Sequence, residues 1–374
     1  NKNYRKIYIY KYILYIMSTL KKILVEKDKS CKSIWFMRQA GRYLPEFRKI
    51  RSLNKNFIKL CLDSNLSSEI TLQPIKRFDL DSAIIFSDIL MVPFALGQDV
   101  EFIKDQGPIL SEFDIGVFLN KNEKDFLNKL DPVYKAISIA RKSLNKDKSL
   151  IAFIGAPWTL LVYMLNIKKN KYEIDVAKLN NENIKIDQIL NKLIDFLCIH
   201  IQKQIEAGAD VIQIFDSWAG LIPDKKIRNY CYLPNAKIIK FCKNNGIPNI
   251  SFPKKKKEKY KEFNQIVKPD GINLDYEIDP AWAKNELNNV VLPHPFGPII
   301  PVIDPFFTFN EISIFAFTPP NDLETFSTSI IFSISGLLPF FFFRSGSVYN
   351  NAKHFRISSL KPSHNSLLEI NYIY

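Results

Sequence analysis

Ile186-Asp-Gln-Ile-Leu-Asn-Lys-Leu-Ile-Asp-Phe-Leu-Cys-Ile-His-Ile-Gln-Lys-Gln-Ile-Glu206 runs through Ala-Gly-Ala-Asp210 into Val211-Ile-Gln-Ile-Phe215, and Asp216-Ser-Trp218 follows. Ile186, Ile189, Leu190, Leu193, Ile194, Leu197 and Ile201 recur at i, i+3, i+4 spacing, which makes one apolar stripe on a helix. Gly208 supplies the usual helix stop. The run Val211–Phe215 is too short for a helix and largely apolar, the pattern of a strand buried on both faces in a parallel sheet. Helix, glycine, buried strand and polar cluster together form one α/β unit.

The unit recurs. Apolar runs stand at Ile34–Met37, Ala83–Phe86, Ile151–Ile154, Val211–Phe215, Ile247–Phe252, Gly271–Leu274 and Val290–Leu292, with helical patterns between them. Such an order predicts an α/β barrel or a doubly wound sheet. Polar strings follow the runs: Arg38-Gln39-Ala40-Gly41-Arg42, Ser87-Asp88, Gly155-Ala-Pro-Trp-Thr159, Asp216-Ser-Trp218 and Asp275-Tyr276. Ligands of parallel α/β folds bind at the carboxyl ends of strands, so these strings converge on one mouth. No glycine-rich phosphate loop follows the first run, which leaves a nucleotide fold unsupported. The expected fold is a (β/α)₈ TIM-type barrel.

Composition bounds the rest. With 374 residues, 47% of them hydrophobic, the chain buries a core without disulfide or metal staples. Five cysteines without a C-x-x-C pair read as reduced thiols of a cytoplasmic protein. Lys+Arg 52 against Asp+Glu 38 gives +14, a balance suited to anionic partners. Residues 1–16 read as upstream translation or a disordered leader, with Met17 the expected start; their apolar stretch is too short to span a bilayer. The barrel is expected over 17–292. From 293 to 374 the text turns rich in Phe, Pro and Ser.

Trp35-Phe-Met-Arg-Gln-Ala-Gly-Arg-Tyr-Leu-Pro-Glu-Phe-Arg48 is the most specific string. It resembles the signature of the uroporphyrinogen decarboxylase family. Ala83-Ile-Ile-Phe-Ser-Asp-Ile-Leu90, Gly155-Ala-Pro-Trp-Thr-Leu-Leu-Val-Tyr-Met164, Ile212-Gln-Ile-Phe-Asp-Ser-Trp-Ala-Gly220 and Gly271-Ile-Asn-Leu-Asp275 are similar in the same order. The resemblance implies a single-domain barrel, a homodimer, and cofactor-free removal of the four acetate carboxyls of uroporphyrinogen to give coproporphyrinogen. That substrate carries eight carboxylates, which guanidinium forks bind bidentately.

On the matching positions, the resemblance implies substrate binding by Arg38, Gln39, Ala40, Gly41, Arg42, Phe57, Asp88, Tyr163 and Ser217, with Asp88 and Arg38 as the catalytic pair. Loss of carbon dioxide leaves an electron pair that a protonated pyrrole accepts, and a buried carboxylate stabilises that cation. Arg38 is a candidate proton donor, although an arginine with a pKa above about 12 is an awkward acid. Each assignment has a plainer rival: surface arginines tied to Glu46, a helix cap at Asp88 or Ser217, ordinary packing at Tyr163 and Phe57. Cys198-Ile-His200 with Cys231 has the residue types of a zinc site but sits inside a helical pattern, so no metal and no cofactor is expected. Lys254–Lys261 reads as a solvated loop rather than a nucleic-acid surface.

Beyond 292 the resemblance stops, and the histidine-containing loop that it implies has no counterpart at His294, His354 or His364. The expectation is an open barrel with two exposed edges, its tail a frameshifted or chimeric reading, or alternatively a divergent tail with Thr328–Ser335 as replacement strand. Two functional alternatives follow: an inactive or unstable remnant of the enzyme, or a basic nucleic-acid-binding protein. No membrane partner is expected.

Overall fold

The computed structural model describes residues 17–27, 33–103, 107–170, 173–179, 185–254, 259–275, 278–279, 282–283, 287, 290–291 and 314–315. All belong to one unit, residues 1–296 and 305–319; a second unit, 297–304 and 320–374, lies outside the described residues. The strands in chain order are β1 (Ser33–Ile34), β2 (Ser82–Ile84), β3 (Val100–Ile103), β4 (Gly107–Leu110), β5 (Ser149–Gly155), β6 (Val211–Asp216), β7 (Asn249–Pro253), β8 (Gly271–Asn273), β9 (Val290–Val291) and β10 (Ile314–Phe315). Six pair in the order β2-β5-β6-β7-β8-β9, parallel throughout. β3 and β4 form an antiparallel hairpin outside that sheet.

Every apolar run of the sequence overlaps a strand, and the order is that of an α/β barrel. β1 joins β2 through Asp81, whose N–H donates to the Ile34 carbonyl at 3.0 Å while its Oδ2 accepts the Ile34 N–H at 2.6 Å. On its other side β1 is paired in parallel with β10, Ser33 opposite Ile314 and Ile34 opposite Phe315. Among the described residues β10 is paired with β1 alone, so this two-residue strand from the tail lies along that edge without joining β9. Thr328–Ser335 lies outside the described residues, as do the three C-terminal histidines.

Alternation along the strands separates two cores. Ile84, Ile151, Val211, Ile250 and Phe252 fill the interior together with Trp35, Met37 and two leucines, Leu20 and Leu24, of the helix Thr19–Glu26. That helix is tied to the start of β5, with Ser18 Oγ 2.5 Å from Ser149 Oγ. It therefore plugs the end at which the strands begin. Intervening residues such as Leu150, Ile154, Ile212 and Ile214, and Ile85 just past β2, face the surrounding helices. The helix Ile186–Glu206 buries all seven residues of its predicted stripe. Gly208 ends the turn after it at φ +112°, and a Cβ there would meet Arg141 Cγ at 2.9 Å, so both conformation and space require glycine.

An aspartate stands just before three of the strands and ties each to its neighbour. Besides Asp81, Asp210 accepts the Leu150 N–H at 2.8 Å and Arg141 Nη1 at 2.8 Å, and Asp270 accepts the Asn249 N–H at 3.2 Å and its Nδ2 at 2.6 Å. Each carboxylate satisfies a strand-start N–H that the ladder leaves over, which fixes register.

The groups singled out as a zinc site lie in separate places. His200 is buried, its Nδ1 3.0 Å from the Tyr134 hydroxyl, whereas Cys231 donates to Asp216. Burial pushes His200 down to about 3. An unfolded histidine takes up a proton below about 6.5 while this one does not, so the unfolded state binds the extra proton and stability falls as pH drops from 6.5 towards 3. The slope from this group is about 1.4 kcal/mol per pH unit. Urea midpoints measured between pH 7 and 4 are expected to show a shallower decline for His200→Gln than for the parent; parallel declines would refute this assignment.

The lysine run is corrected at its end. Lys255–Glu258 lie outside the described residues, but Tyr260 opens the helix Tyr260–Val267, has no exposed surface and accepts the Asp275 N–H at 3.1 Å. No helix among the described residues is long and apolar enough to cross a membrane.

Candidate active site

The loop after β1 carries Arg38 through Arg42, and its shape comes from Gln39. The Gln39 side chain is buried; Oε1 accepts the Phe36 N–H at 3.1 Å and Nε2 donates to the Ser82 carbonyl at 3.1 Å, pinning the loop to β2. Its carbonyl receives the Tyr43 hydroxyl. The Gln39 side chain thus serves the loop, while Ala40 and Gly41 are half-buried in the turn that Leu44 N–H closes onto the Gly41 carbonyl. With Gln39 turned inward, Arg38 and Arg42 both keep access to solvent. Arg38 is nevertheless hemmed in by protein: burial pushes its guanidinium below the ordinary arginine value, and Asp88 and Tyr163 oppose that shift.

Asp88 follows β2 and is half-buried. Its Oδ1 accepts the Leu90 N–H at 2.9 Å, so the cap expected as its plainer role is present. No hydrogen bond from the described residues reaches Oδ2. Burial raises the Asp88 pKa above the usual carboxylate value, against the pull of the Leu90 N–H and of Arg38. One oxygen therefore orients the group and the other is available to a ligand.

Tyr163 comes from the helix Pro157–Met164, which begins straight after β5 with Pro157 in its first turn. Burial raises its hydroxyl pKa; the Trp218 indole, Asp88 and Arg38 act on it in turn. Its ring meets Trp218 edge to face at 5.9 Å. Ser217 is half-buried between Asp216, the last residue of β6, and Trp218. The structure thus brings Arg38, Asp88 and Tyr163 into one electrostatic cluster, with the Ser217–Trp218 turn as its wall.

Arg42 stands in a second group. Phe57 opens the short helix Phe57–Cys61 and packs its ring on Phe86 at 5.9 Å and on Phe102 of β3 at 4.6 Å. Arg51 lies over the Phe57 ring at 5.7 Å, and Arg42 depresses its pKa further after burial has lowered it. Arg51, Phe86 and Trp218 are absent from the residues expected by sequence. Arg51 sits three residues beyond the signature, Arg48, and its spacing to Arg42 was the one signal available. A hollow of about 500 Å³ beside Asp114, Asn122 and Asp125 is a different matter, since Asp114 and Asn122 cap helices there, accepting the Val117 and Asp125 N–H groups.

The family model described as uroporphyrinogen decarboxylase matches residues 17–293. A uroporphyrinogen decarboxylase of Orientia tsutsugamushi (strain Ikeda) is 42% identical over 265 residues, 70% of this chain and 77% of that one. One from Rickettsia bellii is 41% identical over 275 residues, covering 71% and 79%. One from Mesorhizobium japonicum is 38% identical over 255 residues, covering 67% and 74%. Among solved structures, a methyltransferase from Methanosarcina mazei superposes with a TM-score of 0.62 at 15% identity, covering 76% of this chain and 85% of that one, a likeness of fold alone.

Proposed function

The chain belongs to the uroporphyrinogen decarboxylase family, and from that premise we propose how its residues remove the acetate carboxyls of uroporphyrinogen. Arg38 and Arg42 pair with substrate carboxylates and set the macrocycle over the mouth. Asp88 Oδ2 accepts pyrrole N–H groups from below. When a pyrrole is protonated at a ring carbon, the Asp88 carboxylate stabilises the cation and the electron pair left by departing carbon dioxide flows into the ring. The exocyclic carbon then takes up a proton to become methyl as the ring carbon gives up its own, so one proton is consumed per carbon dioxide. Arg38 is the candidate donor of the proton, being coupled to Asp88 and Tyr163 at the mouth. Tyr163 and Ser217 bond substrate through hydroxyls, Phe57 lines the pocket, and no added cofactor enters the reaction.

The observation that carries this reading is the Asp88 carboxylate itself, one oxygen of which accepts the Leu90 N–H while the group as a whole is coupled to Arg38 and Tyr163. The test is single-turnover incubation of the folded chain with uroporphyrinogen, following the porphyrins after oxidation. Stepwise loss of four carboxyls is expected; intact octacarboxylate after long incubation would overturn the reading. A homodimer and a cytoplasmic setting go with the family reading, and the four cysteines described, all unbonded, support the second. The catalytic unit proposed is 17–292, with 293–374 outside it except for the strand Ile314–Phe315.

Arg42 offers a further test. Arg42→Lys keeps the charge and loses the planar fork, so binding is expected to weaken by about 1–2 kcal/mol, the difference between a bidentate and a point contact. The measurement is the substrate KM of the variant against the parent. An unchanged KM would remove Arg42 from the binding set.

A further inference from the structure

One cation near the mouth belongs to none of the family strings. Lys168 follows the helix that carries Tyr163, and its backbone is fixed on both sides. Asn166, at φ +48°, donates its Nδ2 to the Leu110 carbonyl at 3.0 Å; Asp175 N–H reaches the Ile167 carbonyl at 2.7 Å; and Lys168 itself bridges Ile174. From this place its Nζ lies 5.1 Å from the centroid of the Trp218 ring.

Trp218 is a rigid platform. Its N–H donates to Thr159 Oγ1 at 3.1 Å and its carbonyl accepts Trp158 Nε1 at 2.9 Å. Thr159 in turn donates to Asp216 Oδ1 at 2.8 Å, and Asn235 Nδ2 holds Asp216 Oδ2 at 3.1 Å. Asp216 is 1% exposed, so the whole clamp is dry. The edge of the platform is the ring contact with Tyr163, which couples to Arg38 and Asp88.

An aromatic face attracts an ammonium through its quadrupole and leaves the unit charge intact. A carboxylate partner would cancel it. The neighbouring Lys169 is cancelled in this way, by Glu173 at 3.2 Å, whereas no carboxylate of the described residues lies within ion-pair distance of Lys168. An uncancelled cation held beside a pocket for a polyanion selects for charge at the periphery of that polyanion. We infer that Lys168, seated on Trp218, binds a peripheral carboxylate of the macrocycle and so determines preference for highly carboxylated porphyrinogens.

This inference rests on the decarboxylase reading, and its test separates the two. Equilibrium binding of uroporphyrin, an octacarboxylate, is measured at several salt concentrations, alongside KM and kcat for uroporphyrinogen. Lys168→Met is expected to weaken binding and raise KM about tenfold, ~1.4 kcal/mol, with kcat little changed and a shallower dependence of binding on salt. Lys168→Arg restores both values, because it keeps the cation and stacks on indole. Lys169→Met, a cation already cancelled, serves as control and leaves them unmoved. Parent-like affinity and salt dependence in Lys168→Met would overturn the inference with the decarboxylase reading intact. A parent chain that binds the octacarboxylate without turning it over, and loses that binding in Lys168→Met, would overturn the decarboxylase reading and keep the contact. A parent that neither binds nor reacts would overturn both.

Discussion

Asp88→Asn leaves a folded barrel whose turnover is lower by about 10²–10³, or about 2.7–4 kcal/mol of transition-state stabilisation. The amide keeps an oxygen for the Leu90 N–H, so the turn after β2 survives and the cap is not what is lost. What disappears is the negative charge beneath the pyrroles, at a position where burial makes each charge count for more than it would in water. Asp88→Glu makes the complementary change: it keeps the charge and displaces it by a methylene, so its loss comes from geometry. The measurement is single-turnover decarboxylation by both variants, with folding followed separately by urea titration. A parent rate in Asp88→Asn would reduce Asp88 to a turn cap and end the electrostatic account.

The second large effect is on stability. Trp158 has no exposed surface, stacks on Tyr230 at 5.5 Å with the rings 10° apart, and bonds the Trp218 carbonyl. Trp158→Ala is expected to cost about 3–5 kcal/mol, the lost transfer energy plus the cavity left behind. Against a net stability of about 5–15 kcal/mol, that is enough to bring the barrel close to unfolding. Trp158→Phe retains most of the volume and drops the indole donor, so its cost is about 1–3 kcal/mol, and the Trp218 carbonyl is left without that bond. Urea midpoints with an unchanged m-value report the difference. A midpoint within error of the parent for Trp158→Ala would mean that the site collapses without loss, contrary to the close packing around it.

The barrel was legible because parallel strands are covered on both faces, so burial leaves near-continuous apolar runs such as Ile151–Ile154 and Val211–Phe215. Boundaries were less so. Trp35-Phe-Met37 reads as a continuation of β1, yet the strand stops at Ile34 and the loop folds under itself through Gln39, a long-range bond to Ser82 that no local pattern announces. The hairpin Val100–Leu110 escaped for a related reason: its outer residues Phe102, Ile103 and Ile109 are apolar and partly exposed, so alternation was masked. For the site, Arg38, Asp88, Tyr163 and Ser217 were reached through strings that resemble a family, spacing alone being unable to tell a cap from a ligand. Asp88 turned out to have the geometry of a cap without exhausting its carboxylate. Arg51 acquires meaning from the nearby ring of Phe57 and Lys168 from the distant ring of Trp218, and the tail strand at Ile314–Phe315 lies in the largely apolar run Ile312–Phe317, outside the runs picked out from the sequence.

The aspartates that precede β2, β6 and β8 sit at the opposite end of the strands from Arg38, Asp88 and Tyr163. This separation bears on how such a chain evolves. Substitutions around the mouth alter what is held there without touching the hydrogen bonds that fix strand order, so drift in those loops carries little risk to the skeleton. A substitution at Asp81, Asp210 or Asp270 removes an acceptor that ties one strand to the next. A plan of this kind lets one frame carry different mouths, and with the methyltransferase at 15% identity the frame alone is shared.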